Sequence, residues 1–357
     1  MHMDKAGKQS GFRLSSVAIC VASVALFFLL LLGGGCEGGG AAKPEVVLYT
    51  SVDEPVARPI LAEFTKRTGI TVSIQTDIES NKSAGLVARL EAEKANPKAD
   101  VWWGNEIFRT ITLADAGVLA PYESPSAKDV PGAFKDPSHL WAGSGQRARV
   151  IAVHSDPANR AVNPLPNYSI EDVVRPQLKG RIAIADPRAG TTSGHVAALY
   201  VLWGEAKAEK FFRDLKANGI KVLGGNGDVA TEVAKGTILA GLTDNDDVAN
   251  AAAEGGKIRA VVPDQGPGGQ GTLTIPCTVA LVAGAKHPQD AKKLVDYLLS
   301  AEVEKRLIDA NFARYSVRES RASDVEDVKR MSVDYREVAK VLRRASSSAH
   351  SILVGRE

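Results

Sequence analysis

The sequence predicts an α/β protein built as two lobes joined by crossing strands. Three observations carry this. From Glu45 onward, short β-prone apolar runs alternate with amphipathic helical segments. Around Gly143 the rhythm breaks, and a second series of the same kind follows. A long apolar strand, "LTIPCTVALVAG" at 273–284, then returns the chain toward the first series.

The first series opens with "EVVLYT" (45–50), where Val46, Val47 and Leu48 are consecutive and β-prone. "EPVARPILAEFTKRTG" (54–69) reads as a helix: Pro55 suits its first turn, Val56, Ile60, Leu61 and Phe64 share a face, and Gly69 suits its end. "ITVSIQT" is the next strand, "SAGLVARLEAEKANP" a helix stopped before Pro97, "ADVWWG" a third strand and "IFRTITLADAG" a further helix. Such alternation with short connections implies mostly parallel sheets covered on both faces. "RARVIAVHS" (147–155) is a strand followed by a loop holding Pro157, Pro164 and Pro166. "GRIAIADP" starts the second series, and one long helix is expected from about Gly194 to Gly219. "KVLGG" and "TILAGL" are further strands. "HPQDAKKLVDYLLS", "AEVEKRLIDANF" and "DYREVAKVLRRA" are helices, and "SSSAHSILVGRE" reads as a loose tail.

The N-terminus stands apart. Lys5, Lys8 and Arg13 precede an apolar stretch from Leu14 to Leu32, and "GGGC" ends in Cys36. A positive head, apolar middle and small residues before a cut form the signal-peptide pattern. Residues 1–35 are expected to be a signal peptide, Cys36 a lipidated first residue and 36–44 a flexible tether. An uncleaved membrane anchor is the alternative, because the apolar run is almost long enough to span. Residues 45–145 plus 275–357 are expected to form lobe one and 146–274 lobe two.

Removing 1–35 leaves 41 basic and 41 acidic residues. A neutral chain argues against a nucleic-acid partner, which needs a basic surface. Past Cys36 the remaining cysteine is Cys277, so no intramolecular disulfide forms, and it reads as a small buried apolar residue. "GPGGQGT" lacks the Gly-Lys-Ser/Thr ending of a phosphate-binding loop. "GTTSG" is not Gly-x-Ser-x-Gly, so a serine hydrolase finds no support.

Ligands of open parallel sheets bind beyond the carboxyl ends of the strands. The cleft candidates are therefore Tyr49 to Asp53, Trp103 to Glu106, Thr191 to His195, and Asp244 to Asp247 in "TDNDD". Capping of a helix N-terminus accounts for one or two of these aspartates. The "GTTSGH" turn, with Thr192, Ser193 and Gly194, offers free N–H groups and hydroxyls to an anion, or caps its own helix. His195 reads as a surface or cleft-edge histidine. Trp102 and Trp103 point to opposite faces of a strand, so one is core and Trp103 could face the cleft. Tyr49 is a candidate donor late on its strand, and Tyr315 reads as packing.

The segments "LYTSVDEPVARPILAEFTKRTGITV", "ADVWWGNEIFRTITLADAGVLAPY", "GTTSGHVAALYVLWGEAKAEKFF" and "IPCTVALVAGAKHPQDAKKLVDYLLSAEVEKRL" carry a resemblance from about Glu45 to about Ala345. Together they resemble a family-1 extracellular solute-binding protein of ABC importers, in particular its ferric-ion-binding branch. The resemblance implies a type II periplasmic-binding-protein clamshell that captures a solute and hands it to a membrane permease, as a monomer and without catalysis. It also implies metal ligands that have changed here. Asp53 stands where ferric members carry a histidine. Asn105, with Glu106 beside it, stands at their glutamate, and Asp246 and Asp247 replace their tyrosine pair. Carboxylates are hard oxygen donors that suit Ca²⁺, Mg²⁺ and Mn²⁺ as well as iron. The expectation is an exported, lipid-anchored carrier of a metal ion, iron among the candidates, with Asp53, Glu106, Asp246 and Asp247 as donors. The alternative is the same role for a small organic cation or zwitterion, such as a polyamine or aminophosphonate. Asp246→Ala and Asp247→Ala are expected to abolish binding and leave folding nearly intact.

Overall fold

The computed structural model describes residues 45–76, 84–159, 161–162, 168–318 and 328–355. The expected signal peptide, tether and Cys36 lie outside the described residues. Among the described residues, ten strands form one hydrogen-bonded sheet in two halves. The first half holds β1 (Glu45–Thr50), β2 (Thr71–Gln75), β3 (Val101–Gly104), β4 (Leu119–Ala120) and β10 (Thr274–Val282). The second holds β6 (Ile182–Ala185), β7 (Lys221–Leu223), β8 (Ala240–Asp244) and β9 (Ile258–Val261).

β5 (Ala142–His154) belongs to both halves. Its Ala142–Ala148 stretch pairs with β10, and its Arg149–His154 stretch pairs with β8 and β9. The pairs β1–β2, β1–β3, β6–β7 and β6–β8 are parallel. Every pairing made by β5 and β10 is antiparallel, so each half is mixed at the crossing. The β5–β10 register shifts between Pro276 and Thr278, because proline has no N–H to give the ladder.

The helices of the first half form as their apolar spacing dictates. α1 (Glu54–Thr68) buries Ala57, Ile60, Leu61 and Phe64 and ends on Gly69, whose φ of 73° is left-handed. α2 (Ala84–Ala92) and α3 (Phe108–Asp115) follow β2 and β3. The single long helix expected from Gly194 is instead two. α4 (Gly190–Trp203) and α5 (Glu205–Ala217) break at Gly204, whose φ of 76° no helix accommodates. The patterning changes at the same point. α4 is buried at every position from Gly190 to Tyr200, whereas α5 buries one face through Ala208, Phe211, Phe212 and Leu215. α6 (Asn226–Ala234) and α7 (Asn245–Ala253) complete the second half, and α8 (Pro288–Leu298) and α9 (Ala301–Asp309) cover the first.

The expected loose tail is helical. α10 runs from Tyr335 to Leu353 because Val338, Leu342, Ala345, Ala349 and Leu353 keep one buried face beyond Ala345. The segment is expected in lobe one, yet α10 packs on α4 and α5 as well as on α3. Tyr335 donates to the Thr274 carbonyl on β10 at 2.8 Å and meets the Phe108 ring at 5.8 Å. Arg336 pairs with Asp136, Arg344 with Glu205, and Ser348 donates to Glu209 at 3.0 Å. One hydrophobic cluster accordingly holds Trp102, Phe108 and Ile111 together with Val196, Leu199, Phe212 and Leu342.

Gly194 is where α4 meets α3. A Cβ there would lie 2.2 Å from the Phe108 ring. Gly194→Ala should therefore lower stability by about 1–3 kcal/mol through overpacking, despite alanine's better helix propensity. Urea unfolding measures this, and an unchanged midpoint would refute the close approach.

Candidate functional site

The site is built where β8 turns into α7. That junction puts Asp244 at the strand end, with Asp246 and Asp247 in the first helical turn. One carboxylate oxygen from each lies within 4.8 Å of the others. β5 runs antiparallel beside β8 and supplies two buried guanidiniums, Arg147 and Arg149, at alternate positions on one face. Arg147 Nη2 donates to Asp246 Oδ1 at 2.8 Å and Oδ2 at 2.6 Å, and its Nε donates to Oδ1 at 3.1 Å. The same Nη2 lies 2.9 Å from Asp244 Oδ2. Arg149 Nη1 donates to Asp244 Oδ1 at 2.7 Å. Asn226 Nδ2 at 3.2 Å and the Thr191 hydroxyl complete the shell of Asp244.

The electrostatics divide the aspartates. Burial works against ionisation of Asp244, but Arg147, Arg149 and the Thr191 hydroxyl hold its carboxyl below the ordinary range. Burial pushes Asp246 up to about 6 against the pull of Arg147, and the charges of Asp244 and Asp53 add to the rise. Asp53, on the loop after β1, thus sits within electrostatic reach of Asp246 from the other side of the cleft. Asp247 is half-buried. Its Oδ2 accepts from the Thr243 hydroxyl at 3.0 Å and from the Asp244 N–H at 3.4 Å, which ties down the start of α7.

Two spaces meet at Asp247. One is a recess of about 10 Å³, room for a single water-sized group, lined by Asn105, Arg147, Thr191, Asn226, Asp244 and Asp247. The other is an open cleft of about 590 Å³, between the Thr50–Val56 segment and the α6–α7 face that carries Gly227, Asp247, Asn250 and Glu254. Arg147 Nη1 is buried without a hydrogen-bond partner.

Other expected residues lie elsewhere. Glu106 is buried, and its carboxylate accepts from the Phe108 N–H at 2.6 Å and the Arg109 N–H at 3.1 Å, so it holds the first turn of α3. Burial pushes its carboxyl up. Tyr49 points to α2: its hydroxyl donates to Glu93 at 3.0 Å, and Arg89 covers its ring at 4.6 Å. Burial and that carboxylate push the phenol up to about 12. Neither tryptophan turns to the cleft. Trp103 is buried among Val46, Leu48 and Val279, and Trp102 donates its Nε1–H to Thr110 at 2.7 Å. Thr192 Oγ1 donates to Asn226 at 2.8 Å, and Ser193 Oγ donates to the Gly190 carbonyl at 2.7 Å. His195, expected at the surface or cleft edge, is buried and accepts from Arg149 Nε at 3.2 Å through Nδ1. Burial and the Arg149 charge lower its pKa to about 3. Of the expected donors, Asp53 and Asp247 line one cleft, and Asp246 lies buried beside it under Arg147.

Sequence reasoning missed Arg147 and Arg149. Their signal was present: "QRARV" sets two arginines two residues apart in an apolar strand, and buried guanidiniums require carboxylate partners.

Asp246→Ala leaves Arg147 buried beside Asp244 alone, so it should cost about 3–5 kcal/mol of stability, contrary to the near-neutral effect expected from sequence. A double-mutant cycle with Arg147→Met should recover most of the loss in urea unfolding. Neutral His195 resists protonation in the folded state, so the unfolded chain takes up the proton first as pH falls from 6.5 toward 3. Stability should drop by about 2 kcal/mol between pH 7 and 5 from this group. His195→Asn should remove that part of the pH dependence.

Comparison with known proteins agrees with this architecture. The family model described as bacterial extracellular solute-binding protein matches residues 46–312. The major ferric iron-binding protein of Neisseria meningitidis serogroup B is 28% identical over 276 residues, which cover 74% of this chain and 79% of that protein. Iron-bound HitA from Pseudomonas aeruginosa superposes with a TM-score of 0.75 at 24% identity, covering 87% of this chain and 99% of its own. AfuA from Actinobacillus pleuropneumoniae, solved with fructose-6-phosphate, superposes with a TM-score of 0.71 at 24% identity, covering 88% and 97%. The fold is that of the type II periplasmic-binding proteins, and the chain belongs to the bacterial extracellular solute-binding protein family.

Proposed function

We propose that this chain is the exported, lipid-anchored carrier of an ABC uptake system, and that it captures a metal cation in the cleft beside Asp247. Cys36 is the lipidated residue, the working form is a monomer, and a membrane permease receives the cargo. Lobe one comprises 45–145 plus most of 275–357, lobe two comprises 146–274, and they close by bending at β5 and β10. One observation carries the choice of a cation: Asp53 from one side and Asp247 from the other line one open cleft, with the buried Asp246 close behind Asp247 and within electrostatic reach of Asp53. Iron is a candidate because the Neisseria relative is named for binding it. Carrier function needs no catalysis. Ser193 and His195, two residues apart, do not form a nucleophile–base pair, since Ser193 donates to Gly190 and His195 accepts from Arg149.

A second reading keeps the transport role and makes the solute a small organic cation or zwitterion. The cleft volume of about 590 Å³ suits a small organic molecule, and Arg147 Nη1 lacks an acceptor that an acidic group would supply. The sugar phosphate bound by AfuA shows that a protein of this fold can hold an anionic organic solute.

Titration calorimetry on chelator-stripped protein decides between the readings. Mn²⁺, Ca²⁺ or Fe(III) citrate should give saturable heat. Asp53→Ala and Asp247→Ala should each weaken binding at least about tenfold, with losses of only about 1 kcal/mol in stability. Absence of heat with every cation, together with a chelator-insensitive thermal shift by polyamines or aminophosphonates, would replace the metal reading with the second.

A further inference from the structure

We infer that a second pocket, in the first half of the molecule, binds a small aromatic carboxylate. Its volume is about 370 Å³, which suits such a ligand, and it shares no lining residue with the cleft or the recess. The inference therefore stands apart from the reading of the cleft. Tyr122, His139 and Trp141 give the pocket aromatic walls, and Lys128 and Lys135 bring two ammonium groups. The walls are held in place by the fold. The Tyr122 hydroxyl donates to Asp296 Oδ2 at 2.9 Å and the Ser124 hydroxyl to its Oδ1 at 2.6 Å, which ties both to α8. Asp136 accepts from the Ser138 N–H at 2.8 Å and pairs with Arg336 at the start of α10. His139 keeps a left-handed backbone with a φ of 59°, uncommon for a residue with a side chain, and its carbonyl accepts from the Tyr122 N–H at 2.9 Å.

The hydrogen-bonding capacity left over at these walls is mainly that of donors. The Trp141 indole N–H is buried and has no partner, and a buried donor left unpaired is costly. Lys128 is exposed and forms no ion pair among the described residues. Lys135 gives one N–H to the Ala127 carbonyl at 3.2 Å and keeps two. It also acts on Asp129, but Arg318 already holds that carboxylate. Asp136 is occupied by Ser138 and Arg336. The other carboxylate of the wall, Glu123, has a side chain 79% exposed and lies 4.0 Å from the His139 imidazole, so water solvates it. A carboxylate entering the pocket supplies the acceptors that Trp141 and the two lysines lack, in charge-assisted form. A flat apolar body suits the three rings together with Pro125, Ala127 and Ala142. A cation of the same shape meets two ammonium groups and an indole N–H, all of the wrong polarity.

The test follows the indole N–H resonances of the four tryptophans by nuclear magnetic resonance while sodium benzoate is titrated into the isotope-labelled chain. Millimolar benzoate should move one of them saturably, and Trp141→Phe should delete that resonance. Benzamide has the same shape without the charge and should bind at least about tenfold more weakly, and benzylamine should leave the resonance in place. Lys128→Gln and Lys135→Gln should each weaken benzoate at least about threefold, and Lys128→Arg should stay within about twofold of the parent. Lys128 is exposed, so its variants fold even where Trp141→Phe does not. The inference is overturned if benzoate moves no indole resonance, or only one that survives Trp141→Phe. It is equally overturned if both glutamine variants leave the titration unchanged, or if benzylamine acts as benzoate does. None of these results bears on the cation reading of the cleft.

Discussion

The structure depends on keeping two guanidiniums buried in a strand that crosses it. Burying a charge without a partner costs far more than a folded domain's net stability allows. Arg147 and Arg149 on β5 therefore dictate what stands beside them. β8 must end in a carboxylate opposite Arg149, and Asp244 fills that place. The first turn of α7 must supply a second one to Arg147, and Asp246 does so. Thr191 at the start of α4 and Asn226 at the start of α6 then turn inward to satisfy the remaining lone pairs and protons. Three helix starts are thus gathered around one strand by electrostatic need, and the cleft forms where they meet.

The same crossing strand makes the molecule asymmetric. On one side α3, α4 and α10 share a continuous apolar cluster, with Gly194 against Phe108 and Tyr335 tied to β10. On the other side the Thr50–Val56 segment faces the polar surface of α6 and α7 across open space. Separating the apolar side exposes side chains that water cannot satisfy, at about 25 cal/mol for each Å². Separating the acidic side exposes groups that hydrate readily. Motion of the two halves is accordingly expected to pivot on the α10 side and to open on the side that carries Asp53 and Asp247.

Much of the fold was legible because short-range physics wrote it. Apolar period and helix stops located β1, α1, β3 and α8 with small errors. The errors have physical causes. Gly204 ends α4 through a left-handed backbone that an apolar–amphipathic run hides. The serines of 346–348 disguise α10, whose apolar face continues through Ala349 and Leu353. The antiparallel placement of β5 and β10 is a long-range pairing that no local pattern states. At the site, position along the chain points to Asp53 and Asp247, which line one cleft, but says nothing of their environment. Tyr49 and Trp103 were misjudged because strand alternation gives two faces without saying which faces the cleft. Glu106 was misjudged because a carboxylate beside a helix start serves that helix as readily as a ligand.

The cluster "TDNDD" shows why counting acidic residues misleads. Its three aspartates stand within a few ångströms of one another and have three different roles. Asp244 is buried and saturated by Arg149, Arg147, Thr191 and Asn226, so its charge belongs to the fold. Asp247 ties down the start of α7 with one oxygen and borders both the recess and the open cleft. Asp246 stands between these cases. Its partner Arg147 holds it, yet burial and the charges of Asp244 and Asp53 work against its ionised form. A carboxylate so placed gains from any further positive charge that comes near it. The capping reading and the binding reading of the cluster therefore do not compete. Asp244 and Asp247 build the helix start, and the same start borders the cleft.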